Sequence, residues 1–311
     1  MILSKLQEFL CTLIIGAIFA TVSVVSVASA REAKLFNTPK KAIQALYEAG
    51  RANDQKAIFE VLGDASKEWI LSGDPVQDNE GLERFIKAFE EKKTIQRKDG
   101  ETVLLVVGKD DFPFPIPIVQ LDKGWSFDAE LGKEEILNRR IGRNELHTIQ
   151  TLRAILDAQN EYASVDRNSN GTLEYASKFR SIPGKKDGLY WPVEEGKEPS
   201  PLGSLVADSV REGYEKKSSG DVTLPYFGYH YRILKSQGAN TSDGAFEYQV
   251  NGKMIGGFAV IAYPAKYGAS GFKTFIVNHD GIVYEDDLGE GTLTEAEKIN
   301  AFDLNEEWKK S

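Results

Sequence analysis

Apolar residues recur at helical spacing in the middle of the chain, and they predict its longest helix. The apolar stripe runs from residue 145 to about residue 164, with members three or four positions apart on one helix face. Its members are Leu146, Ile149, Leu152, Ile155, Leu156, Tyr162 and Ala163. Asn144 is suited to cap this helix, because its side chain can accept a hydrogen bond from a free N–H of the first turn. We therefore predict a helix that begins after Asn144.

Before this helix, the pattern changes from helical spacing to strict alternation. Three helices are predicted first, opened by Thr38-Pro39, by Asn53-Asp54 and at Gly81. Alternating segments follow, and Asp99-Gly100 between two of them predicts a tight hairpin. In residues 112–118 every second residue is proline, which has no N–H to donate to a ladder. That strand is therefore expected at a sheet edge or outside the sheet.

After the long helix, alternation predicts a second antiparallel sheet. Its strands are expected at residues 227–234, 245–250, 257–263, 272–277 and 282–284. A helix is expected over residues 202–214, and Thr294 with Glu297 has the spacing of a capping box for a C-terminal helix. The predicted fold class is α+β with two domains. These are a cone of helices and a curved sheet over residues 31–143 and a long helix packed on an antiparallel sheet over residues 144–290, followed by a helical tail over residues 291–311.

The first thirty residues have the pattern of a secretory signal peptide. Lys5 precedes a long apolar run, and the small residues Ala28-Ser29-Ala30 come just before the first charges. We expect cleavage after Ala30 and a periplasmic or secreted protein; a retained membrane anchor is the alternative. Cys11 is the one cysteine and would leave with the signal, so the mature chain would have neither a disulfide nor a thiol nucleophile.

The negative net charge of the chain argues against negatively charged binding partners. The chain has a formal net charge of −9, and loss of one lysine and one glutamate with the signal would leave it unchanged. Nucleic acid and anionic lipid surfaces are therefore not expected as partners. Beyond the signal, no apolar run is long enough to predict a membrane span. The expected partner is an unidentified envelope protein or a small ligand.

A loop after the long helix has the order of oxygen ligands found in calcium-binding EF-hand loops. The candidate ligands are Asp166, Asn168, Asn170, the carbonyl of Thr172 and Glu174. Gly171 permits the sharp turn, and Leu173 is expected to anchor the loop in a core. Ser177 occupies the position where such loops have a bidentate glutamate, so a Ca²⁺ site would be weak. The alternative is a turn rich in Asp and Asn that binds no ion.

Aromatic residues suggest a second candidate site. Tyr229, His230 and Tyr231 lie in a dense aromatic cluster, and Trp191 lies in a Gly- and Pro-rich connection. Such side chains can stack on a sugar or a peptide. The alternative is a strand covered on both faces.

Catalytic motifs are not found, and no residue is assigned a catalytic role. The sequence has no nucleophile elbow, phosphate-binding glycine loop or paired histidines. His147 is expected on a solvated helix flank, and His279 is expected in a hairpin turn at positive φ. Candidate acids or bases for a cavity in the cone are Asp54, Asp64, Asp74 and Asp78.

Three arginines are expected where the two predicted domains meet. A last cone helix is predicted from Lys133 to about Ile141, and Arg139, Arg140 and Arg143 stand where it meets the long helix, with several glutamates nearby in sequence. We predict that they pack at this joint; a solvated basic face is the alternative.

Three resemblances follow from these patterns. The order of elements in the first half is similar to the nuclear-transport-factor-2-like cone, and the second half resembles the head of type IV pilins and pseudopilins. Several segments resemble the bacterial family called domain of unknown function 2950. They are FPFPIPIV, GWSFD, RRIGRNE, DGLYWP, PSPLG, FGYHYRILKSQG, GGFAVIAYP and TFIVNHDGIVYEDDLG. That resemblance implies an exported bacterial protein and no established activity.

Three functions are compatible with the sequence. The first is a non-catalytic binding or scaffold protein of the envelope. The second is a hydrolase-type enzyme with a site in the cone or between the domains, and the third is a carrier of a small molecule or calcium. A cavity that gathers His230 or His279 with carboxylates would favour an enzyme, whereas an apolar cavity would favour binding.

Overall fold

The computed structural model describes residues 32–167, 169–193, 196–205 and 225–311. All of these residues belong to one compact unit. One long helix also crosses the predicted boundary at residues 143 and 144. The division into two domains therefore stays a prediction, whereas the α+β class is confirmed.

Helices open the described chain. They are α1 (Pro39–Arg51), α2 (Gln55–Leu62), a 3-10 turn (Asp64–Ser66), α3 (Lys67–Ile70) and α4 (Pro75–Glu91). Thr38, Asp54 and Asp74 each accept hydrogen bonds from backbone N–H groups at the starts of α1, α2 and α4. Helix α4 begins well before the predicted Gly81, because Asp74 provides a cap and Pro75 suits the first helical position.

An antiparallel sheet packs on these helices. Its strands are β1 (Lys93–Arg97), β2 (Thr102–Val107), β3 (Phe112–Pro113), β4 (Ile118–Leu121) and β5 (Gly124–Phe127). Their order is β1-β2-β4-β5, and β3 also pairs with β2. The hairpin at Asp99-Gly100 is confirmed. The proline-rich segment forms β3 at the sheet edge and leaves the ladder after Phe114, whose N–H donates to the carbonyl of Leu105, in agreement with the predicted edge position or departure from the sheet.

Helix α5 (Ala129–Ala163) is continuous, and Asp128 rather than Asn144 caps it. The prediction of a helix start after Asn144 was wrong, since Asn144 is buried inside the helix. The prediction that Leu146 belongs to the apolar face of the helix was also wrong, because this residue is 62% exposed. Polar residues occupy part of the buried face instead, namely Asn144, Thr148, Thr151 and Gln159.

A second sheet packs on the C-terminal part of α5. Its strands are β6 (Tyr229–Leu234), β11 (Ala259–Pro264), β12 (Thr274–Asn278), β13 (Val283–Asp286) and β14 (Lys309–Lys310), in the order β14-β13-β12-β11-β6. Two small ribbons pair β7 (Ser236–Gln237) with β8 (Phe246–Glu247) and β9 (Gln249–Val250) with β10 (Lys253–Met254).

The C-terminal segment differs from its prediction. Helix α6 (Thr292–Lys298) follows Gly291 and has no side-chain cap, so the predicted capping box at Thr294 was wrong. The tail is helical only in part, because it ends in β14. Most of the helix predicted at residues 202–214 lies outside the described residues. In the part of the chain that the structure describes, none of the helices is sufficiently long and apolar to cross a bilayer.

Two apolar cores lie along α5. The first contains residues of α1, α2, α4 and the first sheet, including Ala42, Phe89, Leu105 and Ile118. The second contains residues of α5 and the second sheet, including Leu152, Ile155, Val260 and Ile276. Helix α5 thus contributes its N-terminal part to one core and its C-terminal part to the other.

Candidate functional site

A cavity of about 940 Å³ opens beside the first core. This volume is at the upper end of the range of about 300–1,000 Å³ typical of small-molecule sites. Phe59 and Ile116, which are 2% and 1% exposed, belong to its wall. The other apolar lining residues include Leu46, Ile58, Leu62, Ile70, Leu82, Phe85, Ala88, Val107, Phe112, Phe114 and Ile136. Most of its wall is therefore suited to an apolar ligand.

The proline-rich segment helps to form this cavity. Phe114, Pro115 and Ile116 line it between β3 and β4, where the backbone has left the ladder. Gly132 on α5 lets the helix approach this segment, since a Cβ there would lie 2.8 Å from the carbonyl oxygen of Pro115. The segment therefore forms cavity wall because its prolines interrupt strand pairing.

One stripe of α5 lines the cavity. Ile136, Arg139, Arg140 and Arg143 have the spacing that places residues on one helical face. Arg139 pairs with Glu135 at 2.5 Å. The same guanidinium lies over the Phe112 ring, 4.7 Å from its centroid. This arginine therefore already has both an anionic and an aromatic partner.

Arg140 is held by backbone carbonyls. Its guanidinium donates to the oxygens of Trp69 at 3.0 Å, Ile70 at 2.6 Å and, more weakly, Ala269 at 3.4 Å. Ala269 belongs to the second half of the chain, so Arg140 lies at the joint, as predicted. Burial lowers the pKa of Arg140, and the nearby carboxylate of Asp78 opposes that effect.

Of the four candidate acids, the described part of the cavity wall contains Asp78. Its two oxygens accept hydrogen bonds from the backbone N–H of Ser72 at 3.2 and 3.1 Å. Burial raises the pKa of Asp78, although the Ser72 hydrogen bonds and the charge of Arg140 oppose the shift. Asp54 and Asp74 instead cap helices, and Asp64 pairs with Lys67 at 2.9 Å.

A buried polar network connects the cavity wall to the second half of the chain. The amide of Gln77, which lines the cavity, donates to Asn144 Oδ1 at 2.8 Å. The amide of Asn144 in turn donates to the carbonyl of Ser270 at 2.9 Å. Next to the Asn144 amide, the backbone N–H of Gly228 donates to Asp74 Oδ2 at 2.9 Å. Neither Gln77 nor Asn144 stood out as functional in the sequence, because amides at helix positions are usually solvated.

The four aromatic site candidates do not form an open binding surface. Tyr229 is fully buried and donates to the carbonyl of Lys273 at 2.9 Å. Tyr231 packs against the second core, where burial raises its pKa to about 12. The ring of His230 lies 5.5 Å from that of Tyr263. Trp191 is 7% exposed in the second core. Their role as a ligand site stays a prediction.

The candidate calcium loop is folded around its own side chains. Asp166 accepts from the N–H groups of Asn170 at 3.1 Å and Gly171 at 2.8 Å. Lys253 donates to the carbonyl of Asn170 at 3.2 Å and to Thr172 Oγ1 at 2.5 Å. The lysine ammonium thus lies within the loop, on the main-chain carbonyl of Asn170 and the hydroxyl of Thr172, which are not the two candidate ligand oxygens of these residues. Calcium binding stays a prediction, and Asn168 lies outside the described residues.

The end of the loop is held by Glu174 and by the residues that follow it. The Asn170 amide donates to Glu174, whose other oxygen accepts from the N–H of Met254 at 3.1 Å. Leu173 is 60% exposed, so the prediction that it anchors the loop in a core was wrong. Tyr175, two residues later, packs against the second core instead.

The histidines lie apart from the cavity: none is among its described lining residues. His147 contacts the Phe227 ring at 4.3 Å between centroids, and burial lowers its pKa, with the charge of Arg143 adding to the shift. His279 packs against Tyr248 in the β12–β13 turn. It is not at positive φ, contrary to the prediction; Gly281 provides the positive φ of that turn.

Comparison with known proteins agrees with the predicted family resemblance. No curated protein and no solved structure matches the chain. The likenesses to the nuclear-transport-factor-2-like cone and to pilin heads therefore rest on the order of elements alone. The model of a family described as protein of unknown function (DUF2950) matches residues 33–311. The chain therefore belongs to the DUF2950 family.

Proposed function

We propose that this protein is an exported binding protein that holds an apolar small molecule in the cavity beside α4 and α5. The observation that carries the proposal is the cavity itself, about 940 Å³ in volume and lined mainly by apolar side chains. Apolar walls with a few polar groups are the usual composition of ligand sites, where burial of apolar surface supplies most of the binding free energy.

The composition of the wall favours binding over catalysis. General acid–base chemistry is most often performed by histidine or by paired carboxylates. Asp78 is near the cationic Arg140, and no histidine is found among the described residues of the wall. A carboxylate that accepts two backbone hydrogen bonds beside an arginine is better suited to holding α4 against α5 than to transferring protons.

Export is part of the proposal and is supported by the sequence of residues 1–30. The apolar run and Ala28-Ser29-Ala30 are typical of a cleaved signal peptide. N-terminal sequencing of protein from the periplasm or the medium should begin at Arg31. A secreted or membrane-bound product that still contains Cys11 would contradict cleavage.

The binding proposal is tested with a neutral, fluorescent apolar probe, N-phenyl-1-naphthylamine. Gly81 lines the cavity and lies within α4, and its nearest neighbour is the flexible end of Arg84. Gly81→Trp should fill part of the cavity and abolish probe binding. Gly81→Ala is the matched control; it should keep probe binding and add up to about 1 kcal/mol of helix stability.

Native mass spectrometry of the wild type supplies a second measurement that does not depend on the folding of a variant. Protein purified without detergent should carry a co-purified small molecule in part of the population. If the wild-type protein neither binds the probe nor carries a ligand, the binding function is wrong.

A further inference from the structure

We propose that the ligand of this cavity is an amphiphile with a single carboxylate head, and that Arg143 at the cavity rim is its counterion. This inference rests on the proposed function and specifies the chemical class of the ligand. It follows from the partners of the arginine side chains in the wall.

The other arginines in the cavity wall already have partners. Arg84 pairs with Glu80 at 3.3 Å, and Arg139 pairs with Glu135. Arg140 is occupied by its carbonyl acceptors. Their charges and donors are thus largely used within the protein.

Arg143 is different from these three. Among the described residues it forms no hydrogen bond and no ion pair, although it lines the cavity and is exposed at its rim. Partial burial and the positive charge of Arg84 lower its pKa, and Glu80 opposes this only in part. An anion beside Arg143 would relieve that repulsion and would use its free donors.

The shape and charge of the cavity together indicate the ligand. Apolar walls such as those at Phe59 and Ile116 accept a hydrocarbon chain. A guanidinium at the rim forms two parallel hydrogen bonds with a carboxylate, a stronger arrangement than a neutral hydrogen bond. Because the whole chain has a net charge of −9, an anionic ligand needs such a local cation. The wall also contains Lys109, Glu91 and Asp110, and Arg143 is the one arginine of the described wall without a hydrogen bond or ion pair, so a single carboxylate head is expected beside it.

The test compares ligands with the same tail and different heads. Dodecanoate, dodecanol and dodecyltrimethylammonium compete at pH 8 against N-phenyl-1-naphthylamine bound to the full mature chain. Dodecanoate should bind about tenfold more tightly than dodecanol, and the cationic amphiphile should bind most weakly. The advantage of the carboxylate should shrink at high salt, because Arg143 is exposed.

Two variants assign the effect to Arg143. Arg143→Gln should remove the preference for dodecanoate over dodecanol. Arg153→Gln, which removes an exposed arginine of the same helix away from the described cavity wall, should keep the preference. Arg143→Gln is expected to fold, since its guanidinium has no hydrogen bond or ion pair to lose among the described residues.

The outcomes separate this inference from the proposed function. If dodecanol and dodecanoate bind equally to the wild type, or if Arg143→Gln weakens both equally, the carboxylate inference is overturned while the cavity still binds apolar molecules. If the neutral probe does not bind at all, the proposed function fails first, and the inference falls with it.

Discussion

At the scale of single residues, buried polar side chains decide how α5 packs. Gln159 both donates to and accepts from the backbone of Ala176, at 2.9 and 2.8 Å. Four turns earlier in the helix, the Asn144 amide accepts from Gln77 and donates to the carbonyl of Ser270. A buried amide without partners is costly, whereas a paired one fixes one register of the helix against its neighbours. These amides therefore specify the position of α5 more closely than apolar residues alone would.

The first prediction concerns Asn144. Asn144→Ala should destabilise the protein by about 2–3 kcal/mol, because the Gln77 amide and the Ser270 carbonyl lose a buried partner. Urea unfolding at neutral pH measures the change. Asn138→Ala, at an exposed position on the same helix, should change the stability by less than about 0.5 kcal/mol. Equal effects of the two substitutions would show that the network contributes little.

At the scale of elements, the loop after α5 combines candidate calcium ligands with a lysine from a neighbouring ribbon. Asp166 accepts from the N–H groups that form the turn, and Lys253 of β10 donates to the Asn170 main-chain carbonyl and the Thr172 hydroxyl. A calcium ion bound to this loop would lie close to the Lys253 ammonium, and the two positive charges would repel each other. The loop order alone predicts weak calcium binding, and the lysine is expected to weaken it further.

The second prediction separates the effect of the loop's oxygen ligands on calcium binding from the effect of Lys253. If the loop binds calcium, millimolar calcium should raise the thermal midpoint of Lys253→Met more than that of the wild type, because a competing cation has been removed. Asp166→Ala should not respond to calcium. Calcium at ten times the dissociation constant would add about 1.4 kcal/mol of stability. A calcium shift that is the same in all three proteins, or absent in Lys253→Met, would identify the loop as a turn only.

At the scale of the whole molecule, tyrosines are concentrated in the second core. Burial is the main cause that raises the pKa of Tyr162, Tyr231 and Tyr248, each to about 12. The ordinary tyrosine pKa is about 10, so between pH 10 and pH 12 the unfolded chain releases protons that the folded chain keeps. The folded state then binds more protons than the unfolded state, and stability must fall as pH rises through this window.

The third prediction is a steep loss of stability above pH 10. Each tyrosine that is ionised only in the unfolded chain contributes about 1.4 kcal/mol of loss per pH unit. Tyr231→Phe should reduce this slope by that amount and should change stability little at pH 8, where the hydroxyl donates a long hydrogen bond of 3.4 Å to Thr148 Oγ1. The free energy of unfolding in urea, measured from pH 8 to pH 12, checks both. An unchanged slope in Tyr231→Phe would contradict the assignment.

Features that depend on a few neighbouring residues could be predicted from the sequence. Thr38 and Asp54 mark helix starts because a cap acts within one turn, and Asp99-Gly100 marks a hairpin because its turn geometry is local. The alternating prolines predicted the interruption between β3 and β4 for the same reason. The α+β class and the family also followed from such local signals, repeated along the chain.

The set of residues that meet at the candidate site could not be predicted from the sequence, because it depends on how distant segments pack. Asparagine is a residue type that often caps helices, and leucine is one that is usually buried in a core. The packing of α5 against distant segments nevertheless buries Asn144 and exposes Leu146. Asp78 is the one of the four candidate acids that the described cavity wall contains, and Arg143 is its one arginine without a hydrogen bond or ion pair among the described residues; both facts depend on how α4, α5 and the proline-rich segment enclose the cavity. Burial and charge pairing are sums over neighbours far apart in sequence, so no local pattern encodes them.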